Sequence, residues 1–393
     1  MDATFYGAFM RVLLVALVLA TFSFISNDPL HAATQPATES ITVAELEQTL
    51  ASSREQSDAD LAQHLGAVEL KERLSMSAVA RLNNSLPGEK SRQALMLLAD
   101  KSAFLGPPPT EIPADPAPDS AATRRMLVAI VNYVNTTLRQ LPNLIASRET
   151  TGFEDRPKSD ELGATGVVSL SYLPLHFVGK SAALVTFRDR KESVDEGPHK
   201  EKQGRIGGLI TTGEFGPILS TVLSDALKGR ITWSRWEQGA SGKAAVFQYT
   251  VPEDKSNYRV QFCCVVDGYD SSGAPQMRVF DERSRYHGEI TFNPNDGSIL
   301  RMTLEADLPP TGLVPGAGIA IDYGSVEIGG KTYICPEHSV STLSAHVTKP
   351  EGMYSKAMYM GPAKNFLNDI VFAQYRRFGS EIRILTEEAQ PQQ

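Results

Sequence analysis

A histidine beside a carboxylate is the simplest proton-transfer pair a protein can build, and strand parity supplies one within residues 286–306. Tyr286, Ile290 and Phe292 alternate with His287, Glu289 and Thr291, while Leu300, Met302, Leu304 and Ala306 alternate with Arg301, Thr303 and Glu305. For the apolar residues to share one face, Phe292 must sit opposite Leu300, which places His287 across from Glu305 and Glu289 diagonal to Arg301. No nucleophile or metal partner is implied nearby, and a charged rung on a solvated sheet face accounts for the same residues. His338 and His346 also share strand parity. Eight residues at ~3.3 Å each put them roughly 26 Å apart, too far to hold one metal within a strand. Gly204, Gly207, Gly208, Gly213 and Gly216 lead into a helix at Pro217, a geometry able to receive an anion at the helix N-terminus. Their spacing fits neither the dinucleotide fingerprint nor the P-loop, so turns and hinges are the expected use. No Gly-x-Ser-x-Gly elbow, His-Glu-x-x-His or calcium-loop pattern occurs. The sequence therefore nominates no catalytic residue, no metal ligand and no cofactor.

Three cysteines remain, Cys263, Cys264 and Cys335. Neighbours on a strand point to opposite faces, so only one of the adjacent pair can face Cys335. Tyr258, Val260, Phe262 and Cys264 share the more apolar face, which argues for Cys264–Cys335 as the disulfide. Three small buried hydrophobes is the other reading, and three thiols without CxxC spacing argue against zinc.

A disulfide needs an oxidising compartment, and the N-terminus points to one. Arg11 precedes an apolar run over residues 12–25, shorter than the roughly 20 residues a spanning helix needs. Residues 1–33 read as a secretory signal peptide with cleavage near Ala32 or Ala33. The expectation is a periplasmic or extracellular protein with no transmembrane anchor after signal removal. No lipobox cysteine lies in this segment. The net charge is -8; removing Arg11, Asp2 and Asp28 with the signal leaves -7, so nucleic acid is a poor partner.

The elements that must carry these residues fall into two regimes. Residues 34–105 read as a bundle of short helices. Thr42 and Glu45 form a capping box before Val43, Leu46 and Leu50; Ser57 opens a second helix with Leu61, Leu65 and Val68; Met76, Val79 and Leu82 mark a third. A fourth runs over about 89–104 with Leu95, Leu98 and Ala99 inward. Residues 106–119, with six prolines, form a semi-rigid linker. Residues 120–149 are assigned to a long amphipathic helix, capped at Asp119 or Ser120 and striped by Leu127, Ile130, Val131, Val134, Leu138 and Leu141, with Pro142 ending the stripe.

Residues 150–388 form the β-rich region. Strands are expected near 231–237, 244–251, 257–266 and 365–376, and hairpins turn at Asn295-Asp296-Gly297 and at Gly329-Gly330, the latter pairing Val326 with Tyr333. Such closely spaced strands have no room for crossover helices, so the sheet is antiparallel. One helix interrupts them, with Gly216 as cap, Pro217 at its first position, Gly229 after its end, and Ile218, Leu219, Val222, Leu223, Ala226 and Leu227 inward. The expected fold class is α+β: a short-helix bundle followed by a curved, half-barrel-like antiparallel sheet with helices packed on one face.

Residues 286–307 and 321–341, the latter containing IDYGSVEIGGKTYICPEHSV, resemble the late strands of the outer-membrane lipoprotein carrier fold. That resemblance implies an open half-barrel with helices lining a hydrophobic cavity. The segments LRQLPNLIASRETTGFEDRP and LITTGEFGPILSTVL resemble exported bacterial proteins of unassigned activity. The leading expectation is a soluble, non-catalytic exported protein that shelters an apolar ligand, such as a lipid or lipidated chain, against Phe247, Tyr249, Ile290, Phe292, Met302 and Leu304. The alternative is an envelope interaction module that uses the N-terminal helices, and a hydrolase is third.

Overall fold

A computed structural model describes residues 39–378, apart from 54, 138–139, 164–165, 196–205, 240–241, 271–274 and 351–357. The signal segment with Ala32 and Ala33, as well as Gly204 and Leu138, lies outside the described residues. From Ser40 onward the chain is one compact unit.

The N-terminal module contains β1 (Glu39–Ile41), α1 (Val43–Ser52), α2 (Asp58–Gly66), β2 (Val68–Leu70), α3 (Met76–Asn83) and α4 (Glu89–Lys101). The first three helices start at side-chain caps. The Thr42 hydroxyl accepts from Glu45 N at 3.2 Å and the Glu45 carboxylate accepts from Thr42 N at 2.7 Å, closing the capping box. Ser57 and Ser75 cap α2 and α3 in the same way. The stripes meet in one small core around Leu46, Leu61, Leu65, Leu95 and Leu98. The short β1–β2 ribbon beside it was not anticipated.

After the proline-rich segment come α5 (Ser120–Asn132) and a π-helical turn (Tyr133–Thr137). The expected helix over 120–149 is thus too long. Pro142 breaks it, and from Leu144 the chain is already strand, with Leu144 and Ala146 pointing inward. The β region comprises β3 (Leu144–Arg156), β4 (Ser159–Gly163), β5 (Gly166–Leu170), β6 (Leu173–Arg188) and β7 (Lys191–Asp195), then α6 (Pro217–Lys228). It continues through β8 (Arg230–Gly239), β9 (Gly242–Val251), β10 (Arg259–Tyr269), β11 (Pro275–Arg283), β12 (Tyr286–Phe292) and β13 (Ile299–Ala306) to β14 (Gly316–Ile328), β15 (Lys331–Pro350) and β16 (Met358–Arg377). Among the described residues no helix is long and apolar enough to cross a membrane.

Ten strands form one open antiparallel sheet in the order β7-β6-β3-β16-β15-β14-β13-β12-β9-β8. The C-terminal strand β16 slots between β3 and β15, so the sheet is completed by chain ends far apart in sequence. The α+β class with a curved, unclosed sheet is as expected. On one face lie α5, α6 and the β10–β11 hairpin, enclosing Phe247, Ile290, Phe292, Met302, Leu304 and Ile321, all essentially without solvent contact. On the other face the end of α4 docks: Ala103 joins Ala320, Val340 and Leu367, and the Phe104 ring lies so close to Gly318 that a Cβ there would sit 2.8 Å from it.

The β12–β13 hairpin follows the anticipated register from His287↔Glu305 to Thr291↔Arg301. A bulge then sets Phe292 opposite Ile299 rather than Leu300. Ile299 takes the core position and Leu300 is only half-buried. Gly297 holds φ +77° in the turn, and a Cβ there would meet the Ala129 carbonyl of α5 at 2.5 Å. The Gly329-Gly330 hairpin pairs Val326 with Tyr333 as expected.

Candidate functional site

The six apolar residues nominated as ligand lining are packed core. Phe247 stacks on Phe292 at 5.5 Å between ring centres, Tyr249 meets Tyr286 edge-on at 5.9 Å, and Ile290 pairs with Met302 across the hairpin. Of the six, Tyr249 borders a cleft, and its hydroxyl donates to Thr303 O at 2.6 Å. Space opens instead on the flank of α6. A cleft of about 450 Å³ lies between α6, α5 with its π-turn, and the end of β6. Its apolar wall is Val131, Val134, Phe187, Phe215, Leu223 and Leu227; Asn135, Arg190, Ser220 and Ser224 form the polar part. Leu227, expected to point inward, is half-exposed and faces this opening. Arg190, held at φ +66°, has no ion-pair partner among the described residues.

The glycine-rich entry to α6 does bind an anion, but the anion is the protein's own. The Gly213 and Phe215 amides donate to the two Glu192 carboxylate oxygens at 2.9 and 3.2 Å. Burial, then the neighbouring Glu214, pushes the Glu192 carboxyl up to about 7. Arg148 lies 3.8 Å from Glu214 and donates to Thr211 at 2.8 Å.

On the opposite face a second cleft of about 570 Å³ separates residues 103–106 from β8, β9, β12 and β13. The His287–Glu305 rung lines it, with nitrogen and oxygen 3.8 Å apart, and His287 Nδ1 is 3.0 Å from Asp307. Both partners are about half-exposed, in keeping with a solvated rung. Arg301 does not join Glu289. Asp322 stands directly opposite it on β14 and takes its guanidinium at 2.5 Å, and the second amino group donates to Ala103 O at 2.6 Å. Glu289 is held by Arg235 of β8 at 2.5 and 2.7 Å. Parity within one hairpin cannot show what the flanking strands supply.

Deeper in the same interface lies a buried cluster that sequence reasoning missed. His338 Nε2 is 3.0 Å from Asp369 Oδ1 and 3.4 Å from Asp100 Oδ1, and His338 Nδ1 is 3.6 Å from Asp322 Oδ2. Asp100 comes from the last turn of α4, Asp322 from β14, His338 from β15 and Asp369 from β16. Asp100 is 1% exposed, and neither carboxylate oxygen accepts a hydrogen bond. Desolvation raises its pKa to about 6. Arg301 and His338 hold Asp322 far below the ordinary carboxylate range despite its burial. The available signal was a carboxylate inside an apolar strand, Leu367-Asn368-Asp369-Ile370, and an aspartate beside the inward stripe of α4. His346 sits apart, its Nδ1 2.7 Å from Gly361 O.

The Cys264–Cys335 disulfide is not formed. Cys335 is a free, buried thiol in the core around Phe215 and Phe372, and the sulfurs of Cys263 and Cys264 are paired with each other. A bulge between Cys263 and Val265 reverses the strand parity, so Val265 follows Phe262 into the core in place of Cys264.

The N-terminal module is bound to its own sheet. Arg73 pairs with Glu237 of β8, both 7% exposed, and Arg73 N donates to Gly106 O at 2.7 Å. The linker runs along the β8–β9 edge, where Trp236 Nε1 donates to Pro116 O at 2.9 Å and Lys243 meets Asp115 at 2.9 Å. No family model, curated protein or solved structure matches the chain.

Proposed function

We propose that this is an exported, non-catalytic protein that binds a single-chain amphiphile in the cleft between α5 and α6. The observation that carries this reading is the composition of that cleft: an apolar wall drawn from both helices and β6, with Arg190, which has no ion-pair partner among the described residues, at its polar end. A volume of about 450 Å³ falls in the ~300–1,000 Å³ range of small-molecule sites. Apolar burial supplies affinity at ~25 cal/mol per Å² before ordering costs, and Arg190 with Ser220 and Ser224 suits an anionic head group.

Native mass spectrometry of the purified protein and displacement of a fluorescent fatty-acid probe test it. Ser220→Trp, which fills the cleft, is expected to weaken probe binding at least tenfold. Arg190→Glu should weaken a fatty-acid probe and spare one with a neutral head. A folded wild-type protein that carries no amphiphile and binds no probe overturns the reading.

A further inference from the structure

We propose that Asp100, His338 and Asp369 form a divalent transition-metal site, zinc by its donor chemistry, that fastens the N-terminal helical module to the sheet.

The first support is spacing. Zinc bonds imidazole nitrogen and carboxylate oxygen at ~2.0–2.2 Å in tetrahedral geometry, which places ligand atoms roughly 3.3 Å apart. His338 Nε2 stands 3.0 Å from Asp369 Oδ1 and 3.4 Å from Asp100 Oδ1, and the three donor atoms lie within 4.8 Å of one another. The second support is the state of Asp100. It is buried and neither of its oxygens accepts a hydrogen bond; its nearest cation, His338 Nε2 at 3.4 Å, is held more closely by Asp369 at 3.0 Å, and a buried carboxylate so loosely served is costly to keep. A cation between Asp100, His338 and Asp369 gives it a partner without moving the backbone.

Charge and outer-shell geometry agree. Asp100, Asp322 and Asp369 face Arg301 and His338, so the cluster keeps one negative charge even when His338 is protonated. A divalent cation with neutral His338 brings the sum to zero. When Nε2 binds the metal, Nδ1 carries the proton and points at Asp322, which Arg301 anchors in turn. At 3.6 Å this contact is longer than a hydrogen bond, and closing it would complete the carboxylate–histidine–metal relay that orients metal-bound imidazoles. The sheet builds most of it in advance: Asp322 pairs with His338 in register, and Asp369 pairs with Val340 beside it. Only Asp100 belongs to the module, so the ion would bridge the two parts through a single ligand of α4.

The test uses the full mature chain without an affinity tag, stripped with a chelator and titrated with Zn²⁺ against a chromophoric competitor, and separately with Co²⁺. The expected result is one equivalent bound, visible bands of tetrahedral Co²⁺, and slowed hydrogen exchange over residues 89–104 on binding. Asp369→Asn and Asp100→Asn should abolish the stoichiometric site. Asp322→Asn, a positioning change, should retain one equivalent at about 10–100-fold lower affinity. Folded wild-type protein that binds no Zn²⁺ or Co²⁺ overturns the proposal, as does binding unchanged in both ligand variants. Should Asp100→Asn fail to fold, the wild-type titration and Asp322→Asn decide on their own.

Discussion

The two faces of the ten-stranded sheet are covered by different chemistry. Against α5, α6 and the β10–β11 hairpin the interface is mostly aromatic and aliphatic; among the described residues it buries Asp225, served by Asn257 N at 2.7 Å, Asn257 Nδ2 at 2.6 Å and the Tyr286 hydroxyl at 3.1 Å, and Glu214 at the entry to α6, which has Arg148 3.8 Å away. Against the N-terminal module the apolar contact is small, and Arg73–Glu237, Arg301–Asp322 and the Asp100–His338–Asp369 cluster fill the rest. Burial of apolar area is non-directional and tolerant. Buried ions contribute little net stability when paired but impose a large penalty when one partner is lost. The helix-covered face therefore supplies the stability of the fold, and the module-covered face supplies its specificity of docking.

The largest test of this contrast is Phe292→Ala. It removes a fully buried ring stacked on Phe247 and should cost ~3–5 kcal/mol, read as a lower urea midpoint for the whole molecule. On the opposite face, Glu237→Leu removes the carboxylate that pairs with both Arg73 and Arg235, leaves Arg73 buried, and should cost about 3 kcal/mol. The double change Arg73→Met with Glu237→Leu should recover most of that loss, and a double-mutant cycle in urea reports the difference. If the double variant is no better than Glu237→Leu alone, the ion pair holds the module by more than mutual compensation.

Next in size is a pH effect at Glu192. Its folded pKa, about 7, exceeds the ordinary 4.5 of a glutamate, so between those values the native state holds a proton that the unfolded chain has released. Stability should fall as pH rises through that window, by about 3 kcal/mol, and level off above it. In Glu192→Gln the same thermal melts should be flatter between pH 4.5 and 7. The smallest effect is Thr42→Ala, which breaks the capping box and should cost ~1 kcal/mol. Because α1 packs its Val43, Leu46 and Leu50 into the module's own core, hydrogen exchange should rise over residues 43–70 and remain unchanged in β12–β13.

Deleting residues 34–105, the obvious way to test the helices as an independent partner-binding module, would strip cover from Glu237, Arg301, His338 and Asp369 together. The remaining sheet is then expected to lose its cooperative transition, which circular dichroism melts would show.

Local chemistry was legible along the chain wherever a signal acts over a few residues. Thr42 with Glu45, Ser57, Gly216-Pro217, Gly297 and Gly329-Gly330 each fixed an element boundary, because caps and turns are settled by hydrogen bonds and φ values within one turn of chain. The α+β class and the antiparallel sheet followed from period and spacing, and the His287–Glu305 rung from parity. Parity failed where a bulge intervened, at Cys264 and at Leu300, since one extra residue reverses every later side chain. The first strand of the ten-stranded sheet, β3, was hidden by polar residues that pair with β16 and β6.

Tertiary structure alone decided which residues meet. Asp100, Asp322, His338 and Asp369 span some 270 positions of sequence, and they converge only because β16 returns between β3 and β15 while α4 ends over that site. The sequence by itself determined the capped helix starts and the hairpin turns, for these depend on neighbours in the chain. The clefts and the buried charge cluster depend on neighbours in space, which strand order and the docking of the module choose.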